Sequence, residues 1–316
     1  MEERGGAAPY RGRFAPTPSG PLHFGSLLAA LASCLEARIQ GGLWFVRMED
    51  ADFPRNRPGA DAAILRTLEA YGFVWDGEIV RQSERIEAYH AALEQLKATG
   101  LLYPCACSRK EIAAQQPPLA IDGGLVYPGS CRAGLPAGRS GHVLRIRVDE
   151  VDEIFFTDSI QGAMRQNLGR EVGDFVLFRY EGLFTYQLTV VVDDAWQGIT
   201  HIVRGADLID STARQIYLQT ALAYPTPAYA HLPVATNQAG EKLSKQTHAA
   251  PLIADNAAAD LSLALQFLGQ SPPPALARAD VRTVWQWALA NWDMQKTPKV
   301  RGAAILRMAI EEPTQR

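Results

Sequence analysis

Apolar and polar positions follow first a strand period and then a helix period, and the pair recurs along the chain. Arg11-Gly12-Arg13-Phe14 reads as a short strand stopped by Pro16 and Pro18, and a polar turn, Thr17 to Pro21, leads onward. Apolar residues 27, 28, 31 and 35 then recur at helical spacing as far as Gly41-Gly42. Leu43 to Met48 is a compact apolar strand followed by Glu49-Asp50-Ala51-Asp52. A helix is predicted after Pro58 with Ile64, Leu65 and Leu68 facing inward, and another from Ser83, its expected N-cap, to Gly100. Such alternation predicts a parallel sheet of βα units.

The rhythm breaks at 105–140, where Gly, Pro and Cys are dense and periodicity disappears, so this stretch reads as an inserted module. His142 to Val148 alternates as a strand does, short β-like runs continue to about 165, and Asp174 to Phe178 is strand-like again. Helix over 185–196, strand over 201–204 and helix over 211–223 restore the α/β pattern. Beyond Pro251 the tail is rich in Ala and Leu, with Pro272-Pro273-Pro274 breaking two helices. There is no internal repeat.

Length and composition narrow the class. A chain of 316 residues suggests two domains, or one large domain with an insertion. With 47% apolar and 21% charged residues it is neither disordered nor collagen-like nor a coiled coil. A formal charge of -3 and a pI near 6.1 exclude nucleic-acid binding by bulk positive charge, which goes with a pI above about 9. RNA would need a local patch; Arg109, Lys110, Arg165 and Arg170 are candidates, although scattered surface charge is the ordinary origin of such residues. The first residues carry acids and no apolar core, and no apolar run approaches the roughly 18 residues of a membrane span. The expectation is a cytoplasmic protein without a membrane partner.

Two short motifs carry candidate chemistry. Pro18-Ser19-Gly20-Pro21-Leu22-His23-Phe24-Gly25-Ser26 lies at a strand-to-helix junction, where free backbone N–H groups can receive an anion. Gly25 would let a flat ring approach, and His23 would supply a hydrogen bond or charge to a phosphate. Taken alone, a histidine that merely caps the helix is the commoner source of this pattern. Lys242-Leu243-Ser244-Lys245-Gln246 sets two lysines three apart in a polar loop, able to follow a moving polyphosphate; a solvated charged loop would look the same.

The two occur in order, about 220 residues apart, at opposite ends of the α/β pattern. Together they resemble the HIGH and KMSKS signatures of class I aminoacyl-tRNA synthetases. Arg13-Phe14-Ala15-Pro16-Thr17-Pro18-Ser19-Gly20, Val46-Arg47-Met48-Glu49-Asp50, Val191-Val192-Asp193-Asp194 and Ile202-Val203-Arg204-Gly205-Ala206-Asp207 extend the likeness to the catalytic domain of glutamyl-tRNA synthetases, from about residue 10 to 250. Only 71 residues follow Lys245, too few for the anticodon-binding region that follows in the full-length enzymes. In this the chain is similar to the truncated glutamyl-Q branch of that family, whose members attach glutamate to queuosine at the wobble position of tRNA(Asp).

The resemblance implies ATP-dependent activation of L-glutamate, with Mg²⁺ on the phosphates, followed by transfer to queuosine-containing tRNA(Asp). It places His23, Gly25, Ser26, Lys242, Ser244 and Lys245 at ATP, His23 and Lys245 being the catalytic pair. It assigns Arg13 and Arg204 to glutamate carboxylates, Glu49 to the ammonium and Tyr186 to a hydrogen bond, with Ala15 and Thr17 in the same pocket. An arginine fork suits a carboxylate and opposes glutamine's amide donor.

Three of the four cysteines, Cys105, Cys107 and Cys131, fall close together and suggest structural zinc, which takes four ligands. Three reduced structural cysteines are the alternative, and zinc is the preferred reading. His142 is a conventional fourth candidate; the resemblance points instead to Tyr127. Cys34, at helical spacing with Leu31 and Leu35, reads as core.

The expected architecture is α/β, a Rossmann-like doubly wound parallel sheet with an inserted zinc-bearing, acceptor-side subdomain and a short helical C-terminal part. Its expected divisions are 8–104 and 181–250 for the two catalytic halves, 105–180 for the insertion and 251–316 for the tail, in a monomer. The competing functions are ordinary charging of a tRNA 3′ end, aminoacylation of a carrier protein or small molecule, and an inactive RNA-binding module that keeps the synthetase fold.

Overall fold

The computed structural model describes residues 9–148, 150–151, 153–237 and 250–305. The chain opens with β1 (Arg11–Phe14), α1 (Phe24–Ile39), β2 (Leu43–Met48), α2 (Ala60–Ala70), β3 (Val80–Arg81) and α3 (Ile86–Ala98). β1 pairs with β2, and β2 with β3, all parallel. Where β2 starts beside β1 the chains are so close that a Cβ at Gly42 would lie 2.3 Å from the Tyr10 carbonyl oxygen. Only glycine fits there.

The later half continues the array. After β4 (Leu102–Cys105), α4 (Arg109–Ala114), β5 (Val143–Ile146), β6 (Ile154–Asp158), β7 (Gly162–Gln166), α5 (Leu168–Glu171), β8 (Phe175–Arg179) and β9 (Leu183–Phe184) come α6 (Tyr186–Trp196), β10 (His201–Gly205), α7 (Thr212–Ala221), β11 (Ala228–Leu232) and β12 (Val234–Thr236). β10 pairs in parallel with β11 and lies alongside β1, where the Thr200 N–H donates to the Arg11 carbonyl at 3.0 Å. The strand order β3-β2-β1-β10-β11 therefore runs outward in both directions from β1 and β10. That reversal is the topological switch of a doubly wound sheet, the place where such sheets bind ligands.

α1 sits at the centre because its sequence lets it. Leu27, Leu28, Leu31 and Leu35 are buried, and Ala30, Ala32, Ser33, Cys34 and Ala37 are small enough to bury the other faces too. A helix apolar all round belongs inside, and each buried leucine contributes roughly 1.5–3 kcal/mol. One core joins α1, β1, β2 and α2 to α8 (Ala257–Phe267) and α9 (Val281–Asn291). A second lies between α3, α6 and α7 and the antiparallel sheet β4-β5-β8-β9.

Three features depart from the sequence expectations. Ser83 does not cap α3: it lies in a 3-10 turn, and its N–H and hydroxyl donate to Asp50 at 2.8 and 2.6 Å. The antiparallel sheet spans Leu102 to Phe184 and so extends past both ends of 105–180. Within that stretch the β6–β7 hairpin returns to the main sheet, where Asp158 is paired with Tyr229. The tail is also not only helical, since β13 (Gly302–Ala304) pairs in parallel with β12. Three small residues leave no periodicity to read.

Candidate active site

The expected site residues sit where strands end and helices begin around the switch point. β1 ends at Phe14, and Ala15 to Thr17 cross above it, partly buried. β2 ends at Met48 and delivers Glu49, whose N–H donates to the Pro16 carbonyl at 3.0 Å. Tyr186 opens α6, and β10 carries Arg204. A cleft of ≈ 390 Å³ is lined by buried Glu49, by half-buried Thr17, Tyr186 and Leu183, and by exposed Arg55 and Arg179.

His23 is the N-cap of α1: its Nδ1 accepts from the Ser26 N–H at 3.3 Å, while Gly25 and Ser26 form the half-buried first turn. The capping role is therefore real. It also puts the imidazole at a helix N-terminus that points free N–H groups at any anion placed there. Lys242, Ser244 and Lys245 lie outside the described residues. Pro251, a few residues further on, is bridged to His23, and the Leu252 N–H donates to the Leu22 carbonyl at 2.9 Å.

Beneath Glu49 lies a charge network with no assigned role in the sequence reading. Arg47, 0% exposed, reaches Asp194 at 2.8 Å, Gln197 at 2.7 Å, Glu49 at 3.5 Å and Asp193 at 3.9 Å. Arg13, expected to meet a substrate carboxylate, instead places Nε and Nη2 on the two oxygens of Asp194. Its Nη1 has no hydrogen-bond partner among the described residues. Burial alone would raise the Asp194 carboxyl, but the Arg13 and Arg47 guanidiniums hold it below the usual carboxylate range. Burial pushes the Glu49 carboxyl up to about 7, against the pull of Arg47 and Arg13. Asp193 takes Gln82, Arg85 and Tyr89, so it anchors α3 to α6. The signal for this network was two adjacent acids in the apolar run Val190 to Trp196, a place where a charge must be paired.

Arg204 is 4% exposed and bound by neutral groups. It donates to Gln215 Oε1 at 2.8 Å, Thr212 Oγ1 at 2.9 Å, His231 Nε2 at 3.0 Å and the Tyr186 hydroxyl at 3.3 Å. No carboxylate pairs with it among the described residues. A buried cation held this way retains its full charge for an incoming anion.

The cysteines also converge. Cys105, Cys107 and Cys131 have their sulfurs within 4.8 Å of one another, and Cys107 Sγ lies 3.6 Å from Cys131 Sγ. The Tyr127 hydroxyl stands 3.3 Å from Cys105 Sγ, 3.5 Å from Cys107 Sγ and 3.0 Å from the Cys131 N–H. Tetrahedral zinc with bonds of about 2.0–2.3 Å needs ligand atoms roughly 3.5–3.8 Å apart; the Cys107–Cys131 sulfur pair at 3.6 Å and the Tyr127 hydroxyl at 3.3 and 3.5 Å from two thiols lie close to that spacing. His142 is not in the cluster: its backbone N–H donates to the Cys105 carbonyl at 2.9 Å and its carbonyl accepts from the Tyr180 N–H at 3.0 Å. Gly173, at φ +72, allows the approach to Tyr127, because a Cβ there would lie 2.5 Å from the Tyr127 nitrogen. Arg145 stacks over the Tyr127 ring at 3.9 Å, a cation against an electron-rich ligand set. Of the basic residues considered for RNA, Arg109 and Lys110 on α4, Arg165 on β7 and Arg170 on α5 are all exposed.

Comparison with known proteins shows the family. Residues 10–257 match the family described as tRNA synthetases class I (E and Q), catalytic domain. The chain is 62% identical over 292 residues to the glutamyl-Q tRNA(Asp) synthetase of Dechloromonas aromatica, covering 92% of this chain and 97% of that one. It is 54% identical over 290 residues to the protein of the same name from Pseudomonas aeruginosa, covering 92% and 96%. Among solved structures, the glutamate-tRNA synthetase of Elizabethkingia anophelis superposes with a TM-score of 0.78 at 26% identity, over 94% of this chain and 68% of that one.

Proposed function

The chain belongs to the glutamyl-Q tRNA(Asp) synthetase family of class I synthetases, and on that premise we propose the reaction its site performs and the residues that perform it. It is a ligase that activates L-glutamate with ATP, without tRNA, and then transfers the glutamyl group to queuosine in tRNA(Asp). The observation that carries the amino-acid assignment is a cleft lined by buried Glu49 and by Tyr186, whose hydroxyl is held by the buried Arg204, which no carboxylate among the described residues pairs with: a cation for one end of glutamate and an anion for its ammonium.

Glutamate's α-carboxylate is ionised at neutral pH and needs no general base. One of its oxygens attacks the α-phosphorus of ATP, and pyrophosphate leaves; positioning and charge stabilisation do the rest. His23 and the N-terminus of α1 hold phosphate oxygens. Lys245, assisted by Lys242 and Ser244, neutralises the departing pyrophosphate, and the His23–Pro251 bridge, which brings the chain just past this motif back to the ATP end, supports that role. Mg²⁺ bound with ATP adds charge neutralisation. Arg204 and Tyr186 take the side-chain carboxylate, Arg13 Nη1 the α-carboxylate, and Glu49 the ammonium, with Ala15 and Thr17 closing the pocket. A queuosine hydroxyl then attacks the activated carbonyl, and AMP leaves. The nucleotide enters at the Arg55 and Arg179 end of the cleft.

Zinc on Cys105, Cys107, Tyr127 and Cys131 staples the inserted segment and takes no part in the reaction. The chain divides functionally into two catalytic halves, this insertion and the C-terminal part. No helix among the described residues is long and apolar enough to cross a membrane. The proposed working form is a monomer acting on tRNA in the cytoplasm.

The test supplies labelled glutamate and ATP with tRNA from cells that make queuosine and from cells that cannot. Label only in the first pool is the expected result; equal labelling of both pools would mean ordinary 3′-end charging.

A further inference from the structure

Arg204 is held from behind by a buried pair outside the set of expected site residues. His231, in β11, and Asp158, the last residue of β6, bring Nδ1 and Oδ2 to 2.6 Å, with both side chains wholly shielded from solvent. The other ring nitrogen, Nε2, lies 3.0 Å from Arg204 Nε. An arginine Nε–H can only donate, so Nε2 must accept, and the ring proton sits on Nδ1 facing Asp158. The orientation of the guanidinium thus depends on one histidine tautomer, and the tautomer depends on one carboxylate.

Asp158 also registers the backbone around it. Its Oδ1 accepts from the N–H groups of His231 at 3.1 Å, Ile160 at 3.0 Å and Gln161 at 2.8 Å. The turn of the β6–β7 hairpin, strand β11 and Arg204 are therefore aligned through a single side chain.

We infer that Asp158 and His231 are positioning residues for amino-acid selection: Asp158 fixes the tautomer of His231, and His231 Nε2 sets the plane in which Arg204 meets the substrate's side-chain carboxylate. This rests on the assignment of Arg204 to that carboxylate. It gives the β6–β7 hairpin of the inserted segment a part in choosing glutamate.

The decisive variant is Asp158→Asn. The amide oxygen can keep the three backbone N–H bonds, while the amide nitrogen, now at the place of Oδ2, donates to Nδ1 and forces the ring proton onto Nε2. Two donors then face each other across the His231–Arg204 contact, the wrong-tautomer effect known from hydrolase triads. In glutamate-driven ATP–pyrophosphate exchange without tRNA, the glutamate KM should rise about tenfold or more, the worth of a hydrogen bond to a charged group. The ATP KM should stay near wild type, and ring ¹⁵N shifts should show the proton moved to Nε2. His231→Gln, which can restore an acceptor near Nε2, should keep a lower glutamate KM than His231→Leu. An unchanged glutamate KM in Asp158→Asn, a rise shared equally by ATP, or equal KM values for His231→Gln and His231→Leu would each overturn the inference. Arg204→Gln separates it from its premise. If that variant leaves the glutamate KM unchanged, the Arg204 assignment falls and the relay with it. If it raises the KM while Asp158→Asn does not, only the relay falls.

Discussion

Asp194 holds Arg13 through both of its carboxylate oxygens, at 3.1 and 3.3 Å, and accepts Arg47 at 2.8 Å through one of them. The carboxylate thereby joins strand β1, which carries Arg13, to strand β2, which carries Arg47 and ends one residue before Glu49.

Removing that charge leaves two buried guanidiniums without their shared partner. Asp194→Asn should lose about 3–5 kcal/mol of stability, the cost of breaking a buried pair from one side. The glutamate KM should rise because Arg13 is no longer held. Chemical denaturation with parallel kinetics checks this, and wild-type stability in the variant would mean that Asp194 is not the anchor.

Glu49 should impose a pH dependence on glutamate use. Only its ionised form pairs with the substrate ammonium, so kcat/KM for glutamate should rise as pH increases through about 7. Its folded-state value lies above the usual 4.5. Its contribution to stability is therefore fully present below about pH 4.5 and is lost as pH rises through about 7. Glu49→Gln should flatten both curves and raise the glutamate KM; a wild-type profile unchanged by the substitution would refute the assignment.

Capping and catalysis by His23 can be separated with His23→Asn. Asparagine is among the best N-caps, so the melting temperature should hold. Pyrophosphate exchange should fall by about 100-fold or more if the imidazole stabilises the transferring phosphoryl group. Exchange at the wild-type rate would reduce His23 to a cap.

One zinc per chain is expected by elemental analysis, and a chelator should lower the melting temperature. Tyr127→Phe should weaken zinc by more than the roughly 10–100-fold that follows loss of an outer partner. His142→Ala should leave zinc untouched. The reverse ranking would make His142 the fourth ligand.

Local pattern placed most elements correctly because their periods are long and their caps distinct. α1, β2 and α6 were legible for that reason, and so was the break in rhythm around the cysteines. Ser83 misled because a serine before an acidic helix start looks like a cap whether it bonds its own helix or a distant carboxylate. Arg47 and Asp193 stood inside quoted motifs, yet sequence alone gave them no part to play. The cost of burying a charge depends on what lies across the fold from it.

The sequence by itself determined the α/β alternation, the two signature words at its opposite ends and the cluster of three cysteines, since these depend on neighbours along the chain. Only the tertiary structure decided that Tyr127 and not His142 stands with the three thiols, that Asp194 binds Arg13, and that Asp158 and His231 stand behind Arg204. The partners in that last set are separated by 27 and 73 positions. Such pairings depend on which strands lie side by side and on the direction each side chain leaves its sheet. Both are settled by packing two cores against one sheet, and no local pattern records them.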